Sequence, residues 1–328
     1  MKLLWIGMDG LDSYWVKRWL KKLPELKHLT KKSAWGQLTP EIPFSPQSWT
    51  TIFSGYNAAT HGIFDLANHN MTVDSHVPMF WQAATSAGIN IGVYRVPMTF
   101  PPEVVKGWMY SGWSAPYPAC YPNTPDYQEN LVNVLSCDAE ANIYHTPQAA
   151  IQHVAIYEQE VEQLYKILEK HPVDVLVAVF CVLDKVGHNI WEVHWDKEEA
   201  QDDRLNWYKR VDRDMGKLIQ HCNPETLVIN SDHGFNSREL SNTVWNPSHL
   251  GELPVWHTKE GFYLIKGPRV KPQELEMSNL DLLPTVMKAI VWNPTYKMDG
   301  KVAPIFGDTY TKEEQEIVEA RLKGLGYM

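Results

Sequence analysis

The chain alternates between short continuous apolar runs and longer stretches in which apolar residues recur at helical spacing. Three of the apolar runs occupy residues 3–8, 173–183 and 226–231. Short runs of this kind are typical of strands that are buried on both faces of a parallel sheet. Helical spacing is clearest over residues 151–168 and 205–219. The alternation predicts an α/β fold with a layered, mostly parallel central sheet.

Turn and capping residues predict several further elements. A helix is expected near Asp12–Leu20, and residues 33–44 are expected to be extended. A second helix should run through Trp49–Ser54 and end near Gly55, because glycine favours the left-handed conformation that ends helices. Two more strands are predicted at Asn90–Tyr94 and Gly261–Ile265.

The segment at about 99–142 differs from the rest because proline and aromatic residues crowd together there. These residues are Pro101, Pro102, Trp108, Tyr110, Trp113, Tyr117, Tyr121 and Tyr127. The composition predicts a small irregular cap within a single domain that spans residues 1–328. The segment either packs on the sheet as a loop or contacts a substrate, and the sequence leaves both readings open.

Composition and charge narrow the class of protein. The 328 residues are 44% hydrophobic and 21% charged, as in soluble globular proteins. The net charge of −9 argues against a nucleic-acid polymer as partner. The longest apolar run is too short to span a membrane, and no signal peptide is evident. The four cysteines show no paired spacing, so we expect reduced thiols in a cytoplasmic protein.

Each of the three apolar runs leads to an aspartate, namely Asp9, Asp184 or Asp232. Ligands of open α/β sheets bind beyond the carboxyl ends of such strands, so acids gathered there indicate a cation site. His188 lies four residues after Asp184, and the two side chains would share one face of a helix. Such a pair by itself is more often a solvated helix pair.

Two other histidines are candidates. Asp232-His233-Gly234 follows a buried strand, and Gly234 permits a break at which both side chains could reach one cation. An ordinary strand-to-loop turn would have the same sequence. His257 stands just before a predicted strand, and a lone histidine in such a position is usually structural.

Ser45 lies between Phe44 and Pro46, just before the second predicted helix. A serine at a helix start is usually a cap. A functional serine there would lie near the first-turn amides, which also favour a phosphate group.

Taken together, these residues provide seven ligands. They are Asp9, Ser45, Asp184, His188, Asp232, His233 and His257. Seven ligands suit two four-coordinate cations if an exchangeable oxygen completes the coordination. The joint pattern therefore predicts a metallo-enzyme.

The residues resemble the alkaline phosphatase superfamily, and most of all its type I phosphodiesterase/nucleotide pyrophosphatase branch. The matching motifs run nearly end to end, at residues 6–10, 45–65, 96–102, 107–112, 184–188, 231–235, 256–261, 281–285 and 298–300. The resemblance implies a three-layer alkaline-phosphatase-like fold with helices on both faces of the sheet. It implies one metal site from Asp9, Ser45, Asp232 and His233, and a second from Asp184, His188 and His257.

The resemblance also implies a mechanism. Ser45 stands ten residues before Gly55, at the nucleophile position, where many relatives carry threonine. It would attack phosphorus and form a phosphoserine intermediate between two divalent cations. Zn²⁺ suits the His/Asp ligands best, and Mn²⁺ or Fe remain alternatives.

Two departures from the family pattern affect the site. The proline usually found two residues after the nucleophile is here Pro46, one residue after it. The asparagine that contacts phosphate in the nucleotide pyrophosphatases falls on Leu66, and Asn68 is close but not aligned.

The predicted substrate is a small phosphate ester such as a nucleotide, cleaved at a phosphodiester or pyrophosphate bond. Candidate substrate contacts are Asn68, Trp108, Tyr110 and Trp113. Phosphomonoester or phosphonate hydrolysis would use the same residues, and a non-catalytic metal-binding relative is a further alternative. A sulfatase is disfavoured because residues 45–49 lack the pattern that is converted to formylglycine. A cofactor-independent phosphoglycerate mutase is disfavoured because the chain lacks a long inserted domain. The sequence leaves the oligomeric state open.

Overall fold

A computed structural model describes residues 1–64, 77–112, 115–128, 147–191, 198–244, 255–292 and 296–307. The first six strands are β1 (Leu3–Met8), β2 (Ala34–Thr39), β3 (Ile91–Val96), β4 (Gly107–Ser111), β5 (Cys120–Tyr121) and β6 (Val175–Phe180). The other six are β7 (Thr226–Asn230), β8 (Gly234–Ser237), β9 (Val255–Thr258), β10 (Gly261–Lys266), β11 (Gln273–Glu274) and β12 (Met277–Ser278).

Ten strands form one sheet in the order β11-β2-β10-β7-β1-β6-β3-β4-β5, with β12 also paired to β2. The central run β7-β1-β6-β3-β4 is parallel throughout. Strand β10 is antiparallel to both of its neighbours, and β5 is antiparallel to β4. Strands β8 and β9 form a separate antiparallel hairpin. The prediction of a mostly parallel sheet is confirmed, and the direction of β10 is a feature that the sequence pattern did not indicate.

The helices are α1 (Ser13–Trp19), α2 (Pro24–Thr30), α3 (Ser45–Ser54), α4 (Ala58–His61), α5 (Phe80–Ser86) and α6 (Pro125–Gln128). They continue with α7 (Pro147–Lys170), α8 (Val182–Val186), α9 (Glu198–Cys222) and α10 (Leu282–Ala289). Short 3₁₀ turns occupy Leu20–Lys22 and Asn279–Asp281, and a π-helical turn occupies Gly187–Trp191.

The helices form two layers, one on each face of the sheet. Side chains from α1, α2, α7 and α9 pack on one face, and side chains from α3, α5 and α10 pack on the other. Every residue of β1 is buried, and its side chains alternate between the two cores: Leu4 and Ile6 face one, Leu3 and Trp5 the other. A strand that is covered on both faces must be apolar throughout, which explains its continuous apolar run. The three-layer α/β architecture is thus confirmed.

Part of the segment that was predicted to be an irregular cap belongs to the sheet instead. Residues 107–111 form β4, which pairs in parallel with β3, and residues 120–121 form the edge strand β5. In β4 the aromatic residues alternate with other apolar residues, because this strand is covered on both faces. Residues 113, 114 and 129–142 of the predicted cap lie outside the described residues.

Among the described helices, none combines the length and the apolar character that crossing a bilayer requires.

Candidate metal centre and nucleophile

The order of three neighbouring strands brings the strand-end aspartates together. Strands β6 and β7 flank β1 on either side, and all three run in the same direction. Asp9 directly follows β1, while Asp184 and Asp232 follow β6 and β7 by four and two residues. The backbone N–H of Asp9 donates to the Phe180 carbonyl at 2.9 Å. The three carboxylates are buried together at the carboxyl edge of the sheet.

The first cluster contains Asp9, Asp232, His233 and Ser45. The Nε2 atom of His233 lies 3.3 Å from Asp9 Oδ1 and 3.4 Å from Asp232 Oδ2. The same nitrogen lies 3.1 Å from Ser45 Oγ. Two carboxylates, one imidazole and one hydroxyl therefore converge on one point.

The second cluster contains Asp184, His188 and His257. Asp184 Oδ1 lies 3.2 Å from His188 Nε2 and 3.0 Å from His257 Nε2, and the two imidazole nitrogens are 3.0 Å apart. The clusters adjoin, because Asp184 Oδ1 is 4.0 Å from His233 Nε2 and the rings of His233 and His257 stack at 3.7 Å. All seven predicted ligands thus lie in one buried centre.

Backbone carbonyls orient two of the imidazoles. His233 Nδ1 lies 3.0 Å from the Gly234 carbonyl, and His257 Nδ1 lies 2.9 Å from the Pro43 carbonyl. Because a carbonyl only accepts, each Nδ1 must carry a proton and donate it. Each Nε2 then presents its lone pair to the carboxylates. This arrangement fixes the tautomer of a metal-ligating histidine.

The like charges of the three carboxylates repel one another. Burial and the neighbouring Asp232 and Asp184 carboxylates raise the pKa of Asp9 well above its ordinary value. Burial, followed by the charge of Asp184, raises the pKa of Asp232 to about 7. Burial and the adjacent His233 lower the pKa of His257 to about 3, which keeps its lone pair available. Three closely spaced carboxylates beside neutral imidazoles would be stabilised by a bound cation.

The unsatisfied atoms fit divalent cations. Asp9 Oδ1, Asp184 Oδ1 and both carboxylate oxygens of Asp232 are buried and have no hydrogen-bond donor in good geometry among the described residues. Buried carboxylate oxygens are normally hydrogen-bonded, and a cation is the usual alternative. Each cluster has three protein groups whose ligand atoms lie within 4.8 Å of one another. The residues therefore fit one divalent cation in each cluster.

The position of Ser45 excludes the capping role. Ser45 is the first residue within α3, and Phe44 occupies the cap position without a side-chain hydrogen bond. The Ser45 hydroxyl is instead directed towards His233. Pro46 fits here because a proline in the first turn removes only an amide that has no helical partner. At the other end Gly55 adopts a left-handed conformation with φ 73°, so its predicted role in ending the helix is confirmed.

Two supporting residues were missed by sequence reasoning. The Trp49 indole N–H donates to Asp9 Oδ2 at 3.2 Å. Asp12 is fully buried, and its Oδ2 accepts from the Phe235 backbone N–H at 3.1 Å and lies 3.4 Å from Thr258 Oγ1. Asp12 thus ties α1 to the β8–β9 hairpin. The only sequence signal for Asp12 was its position before a helix, where an aspartate is ordinarily a cap.

The predicted substrate contacts Trp108 and Tyr110 are wrong. Both side chains lie in the core on the face of the sheet covered by α7 and α9, and they are 1% and 3% exposed. The Trp108 indole N–H donates to the His171 carbonyl, and the Tyr110 hydroxyl donates to the Tyr127 carbonyl. Their aromatic character serves packing between sheet and helix. The other two candidates, Asn68 and Trp113, lie outside the described residues.

Comparison with known proteins identifies the family and the fold. The sequence matches the type I phosphodiesterase/nucleotide pyrophosphatase family over residues 3–315. No curated protein matches the chain in sequence.

Several solved structures share the fold. Murine ectonucleotide pyrophosphatase/phosphodiesterase 5 is 13% identical, with a TM-score of 0.59 over 92% of this chain and 98% of that chain. A phosphonate monoester hydrolase from Silicibacter pomeroyi is 12% identical, with a TM-score of 0.57 over 95% of this chain and 78% of that chain. A putative sulfatase from Bacteroides thetaiotaomicron is 13% identical, with a TM-score of 0.59 over 92% and 73% of the two chains.

The family match spans nearly the whole chain, and the relatives share its mixed α/β sheet. The chain therefore belongs to the type I phosphodiesterase/nucleotide pyrophosphatase family of the alkaline phosphatase superfamily, and it is a hydrolase of that type.

Proposed function

We propose that the chain is a two-metal phosphodiesterase or pyrophosphatase that acts on small molecules and forms a phosphoserine intermediate on Ser45. The observation that carries the proposal is the convergence of the Ser45 hydroxyl with two adjoining carboxylate and histidine clusters. Ser45 Oγ lies 3.1 Å from His233 Nε2 rather than in a capping position.

Asp9, Asp232, His233 and Ser45 would hold one cation, and Asp184, His188 and His257 would hold the other. Zn²⁺ suits these nitrogen and oxygen ligands best, with Mn²⁺ and Fe as alternatives. When bound, divalent cations lower the pKa of a coordinated hydroxyl and neutralise charge on a phosphoryl group.

The reaction then has two steps. Ser45 Oγ forms a bond to phosphorus as the bond between phosphorus and the leaving alcohol breaks on the opposite side. The Ser45 proton passes through solvent to the leaving oxygen, so that a neutral alcohol is released. Water then cleaves the phosphoserine and restores the serine hydroxyl. His233 is fixed by the Gly234 carbonyl and keeps the nucleophile at the edge of the clusters.

The charge of the centre supports a phosphate ester as substrate. Two divalent cations would more than offset the three carboxylates, so the loaded centre would attract an anion. An inactive form of the murine relative was solved in complex with AMP, which supports a nucleotide-type substrate. A sulfatase activity is disfavoured because residues 45–49 lack the formylglycine pattern, although sulfatases share the fold.

The proposed location is cytoplasmic. It is supported by unpaired thiols at Cys120, Cys181 and Cys222, as is usual in reducing compartments.

The decisive variant is Ser45→Ala. We expect turnover of bis(4-nitrophenyl) phosphate to fall by at least about a thousandfold, because covalent catalysis is lost. Bound zinc, measured by plasma mass spectrometry, should stay near two ions per chain because six ligands remain. Ser45→Thr is the matched control, since it keeps a hydroxyl and should retain measurable turnover. Full activity in Ser45→Ala would refute the assignment.

A substrate panel tests the reaction class. The zinc-loaded protein should hydrolyse bis(4-nitrophenyl) phosphate faster than 4-nitrophenyl phosphate, and 4-nitrophenyl sulfate least of all. Faster cleavage of the monoester would show that a phosphomonoesterase is the better description.

A further inference from the structure

A cavity opens at the same edge of the sheet as the metal centre. Its volume is about 560 Å³, within the range of small-molecule sites. It lies beyond the carboxyl ends of β2 and β12, which run parallel to each other. Polar side chains line much of it, among them Thr39, Glu41, Lys259, Glu276, Ser278 and Asn279.

Two walls of the cavity belong to chain segments that continue into the metal centre. Glu41 lies in the connection that leads from β2 to Ser45, and Lys259 lies two residues after His257. The hydrogen bond of 2.9 Å between His257 Nδ1 and the Pro43 carbonyl joins these two walls. The cavity therefore adjoins the cluster of Asp184, His188 and His257.

Asn279 shows that the cavity is built for a polar ligand. The residue is 3% exposed, yet within the described part of the chain its side chain makes no hydrogen bond. Because Asn279 lines the cavity, the small exposed part of the residue faces that space. An amide without an internal partner in such a position is available to a ligand, since buried amides are normally paired.

The lining also indicates the class of ligand. Glu41 and Glu276 are acidic and Lys259 is basic, so the cavity carries net negative charge and disfavours a second phosphate group. No aromatic ring belongs to the described lining, so a nucleobase would find nothing to stack on. Carboxylates, an amide and hydroxyls together suit a ligand with many hydroxyl groups.

We infer that this cavity binds the leaving alcohol of the substrate and selects an uncharged, polyhydroxylated group such as a sugar or polyol. The inference rests on the proposed function, because it places the ester bond at the neighbouring metal centre. It deepens that proposal by naming the alcohol, and it disfavours a nucleoside in that position.

The test uses three methyl phosphodiesters that differ only in the other alcohol, which is sorbitol, ethanolamine or adenosine joined through its 5′ oxygen. Release of each free alcohol by the zinc-loaded full chain gives kcat/KM. We expect the sorbitol ester to be the best of the three. Asn279→Leu and Lys259→Met should each lower the sorbitol-to-adenosine ratio of kcat/KM by about tenfold, as expected for one lost hydrogen bond to the substrate.

Lys297→Met is the matched control, because Lys297 is exposed and does not line the cavity. It should leave the ratio unchanged, and thermal unfolding should confirm that all variants are folded. A preference for adenosine or ethanolamine would overturn the inference. It would also be overturned if Asn279→Leu shifted the ratio no more than Lys297→Met does. If the wild type cleaved neither these esters nor bis(4-nitrophenyl) phosphate, the proposed function itself would fail, and the inference with it.

Discussion

At the scale of single residues, Asp12 connects two elements beside the ligand set. Its Oδ1 accepts from the Tyr14 backbone N–H at 2.7 Å and caps α1. Its Oδ2 accepts from the backbone of Phe235, whose ring in turn contacts the imidazole of His188 at 4.9 Å between centroids. One carboxylate thus both starts a helix and holds the hairpin that carries His257.

Asp12→Asn should weaken metal binding. The amide can keep one acceptor, but its NH₂ group would meet a backbone N–H donor and release the β8–β9 hairpin. We expect at least about a tenfold loss of zinc affinity, as for other residues that orient metal ligands. Competition with a chromophoric chelator measures it.

Asp212→Asn is the control for Asp12→Asn. Asp212 is equally buried and accepts from the backbone N–H groups of Glu25 and Leu26 at the start of α2, away from the centre. We expect Asp212→Asn to lower the free energy of unfolding and to leave zinc affinity unchanged. An equal loss of zinc affinity in both variants would contradict the role assigned to Asp12.

His61 should make stability depend on pH. Its Nε2 lies 3.0 Å from Thr51 Oγ1, and its Nδ1 accepts from the Ile63 backbone N–H at 3.1 Å, so the ring is neutral. Burial lowers the pKa of His61 to about 4. Between pH 4 and its ordinary value of about 6.5 the unfolded chain binds more protons, so the free energy of unfolding rises with pH.

His61→Gln tests this dependence. The part of the pH dependence that comes from His61, on the order of 2 kcal/mol across that range, should disappear. Urea unfolding at pH 4.5 and 7.5 measures it, with His28→Gln as an exposed control. An unchanged difference between the two pH values in His61→Gln would refute the prediction.

At the scale of elements, the packing of α3 on β1 positions both the nucleophile and the first aspartate. A Cβ atom on Gly7 would lie 2.6 Å from Trp49 Cη2 and 2.7 Å from Val179 Cγ2. Only glycine leaves room for the Trp49 ring, whose indole N–H reaches Asp9. Helix α3 and strand β1 therefore pack closely at Gly7, where a larger side chain would not fit.

Gly7→Ala should displace Trp49 and with it the Asp9 carboxylate. We expect a loss of about 1–3 kcal/mol in the free energy of unfolding, as for overpacked cores, together with lower kcat. Ile6→Val is the control on the same strand, because Ile6 faces the other core. It should cost about 1 kcal/mol and leave kcat unchanged. Equal effects of the two substitutions on kcat would show that α3 can adjust.

At the scale of the whole molecule, the strand order concentrates negative charge at one buried edge. Among the described residues, Lys185 Nζ lies 3.9 Å from Asp184 Oδ2, and this positive charge does not balance the three carboxylates, whose burial destabilises the metal-free fold. Ligands that bind only the folded state stabilise it by mass action. Metal content should therefore govern the stability of the entire chain.

Removing metal by chelation should lower Tm by at least about 3 °C, and adding zinc should restore it. Asp232→Asn should behave in the opposite way. It should raise the Tm of the metal-free protein, because one buried charge is gone, and it should respond weakly to zinc. Scanning fluorimetry with and without chelator measures both. A wild-type Tm that does not change when chelator is added would contradict the claim that bound metal stabilises the fold.

Much of the fold follows from local patterns. The continuous apolar runs predicted β1, β6 and β7 because strands covered on both faces must be apolar. Gly55 marked the end of α3, since its left-handed conformation costs a glycine little. The three aspartates among the ligands were recognisable because each follows the end of such a run, which is a local property, whereas the full set of seven followed from the resemblance to a known family.

Tertiary structure alone decided which of these ends meet. Asp9, Asp184 and Asp232 become neighbours because β6 and β7 both pair with β1, and pairing depends on contacts between residues more than a hundred positions apart. Contacts that are distant along the chain also place Trp108 in the core, and they make Asp12 a bridge between α1 and the β8–β9 hairpin. The sequence by itself thus determined the kinds of element and the chemistry at their ends. Packing determined which of those ends share a site, because it depends on partners that are distant along the chain.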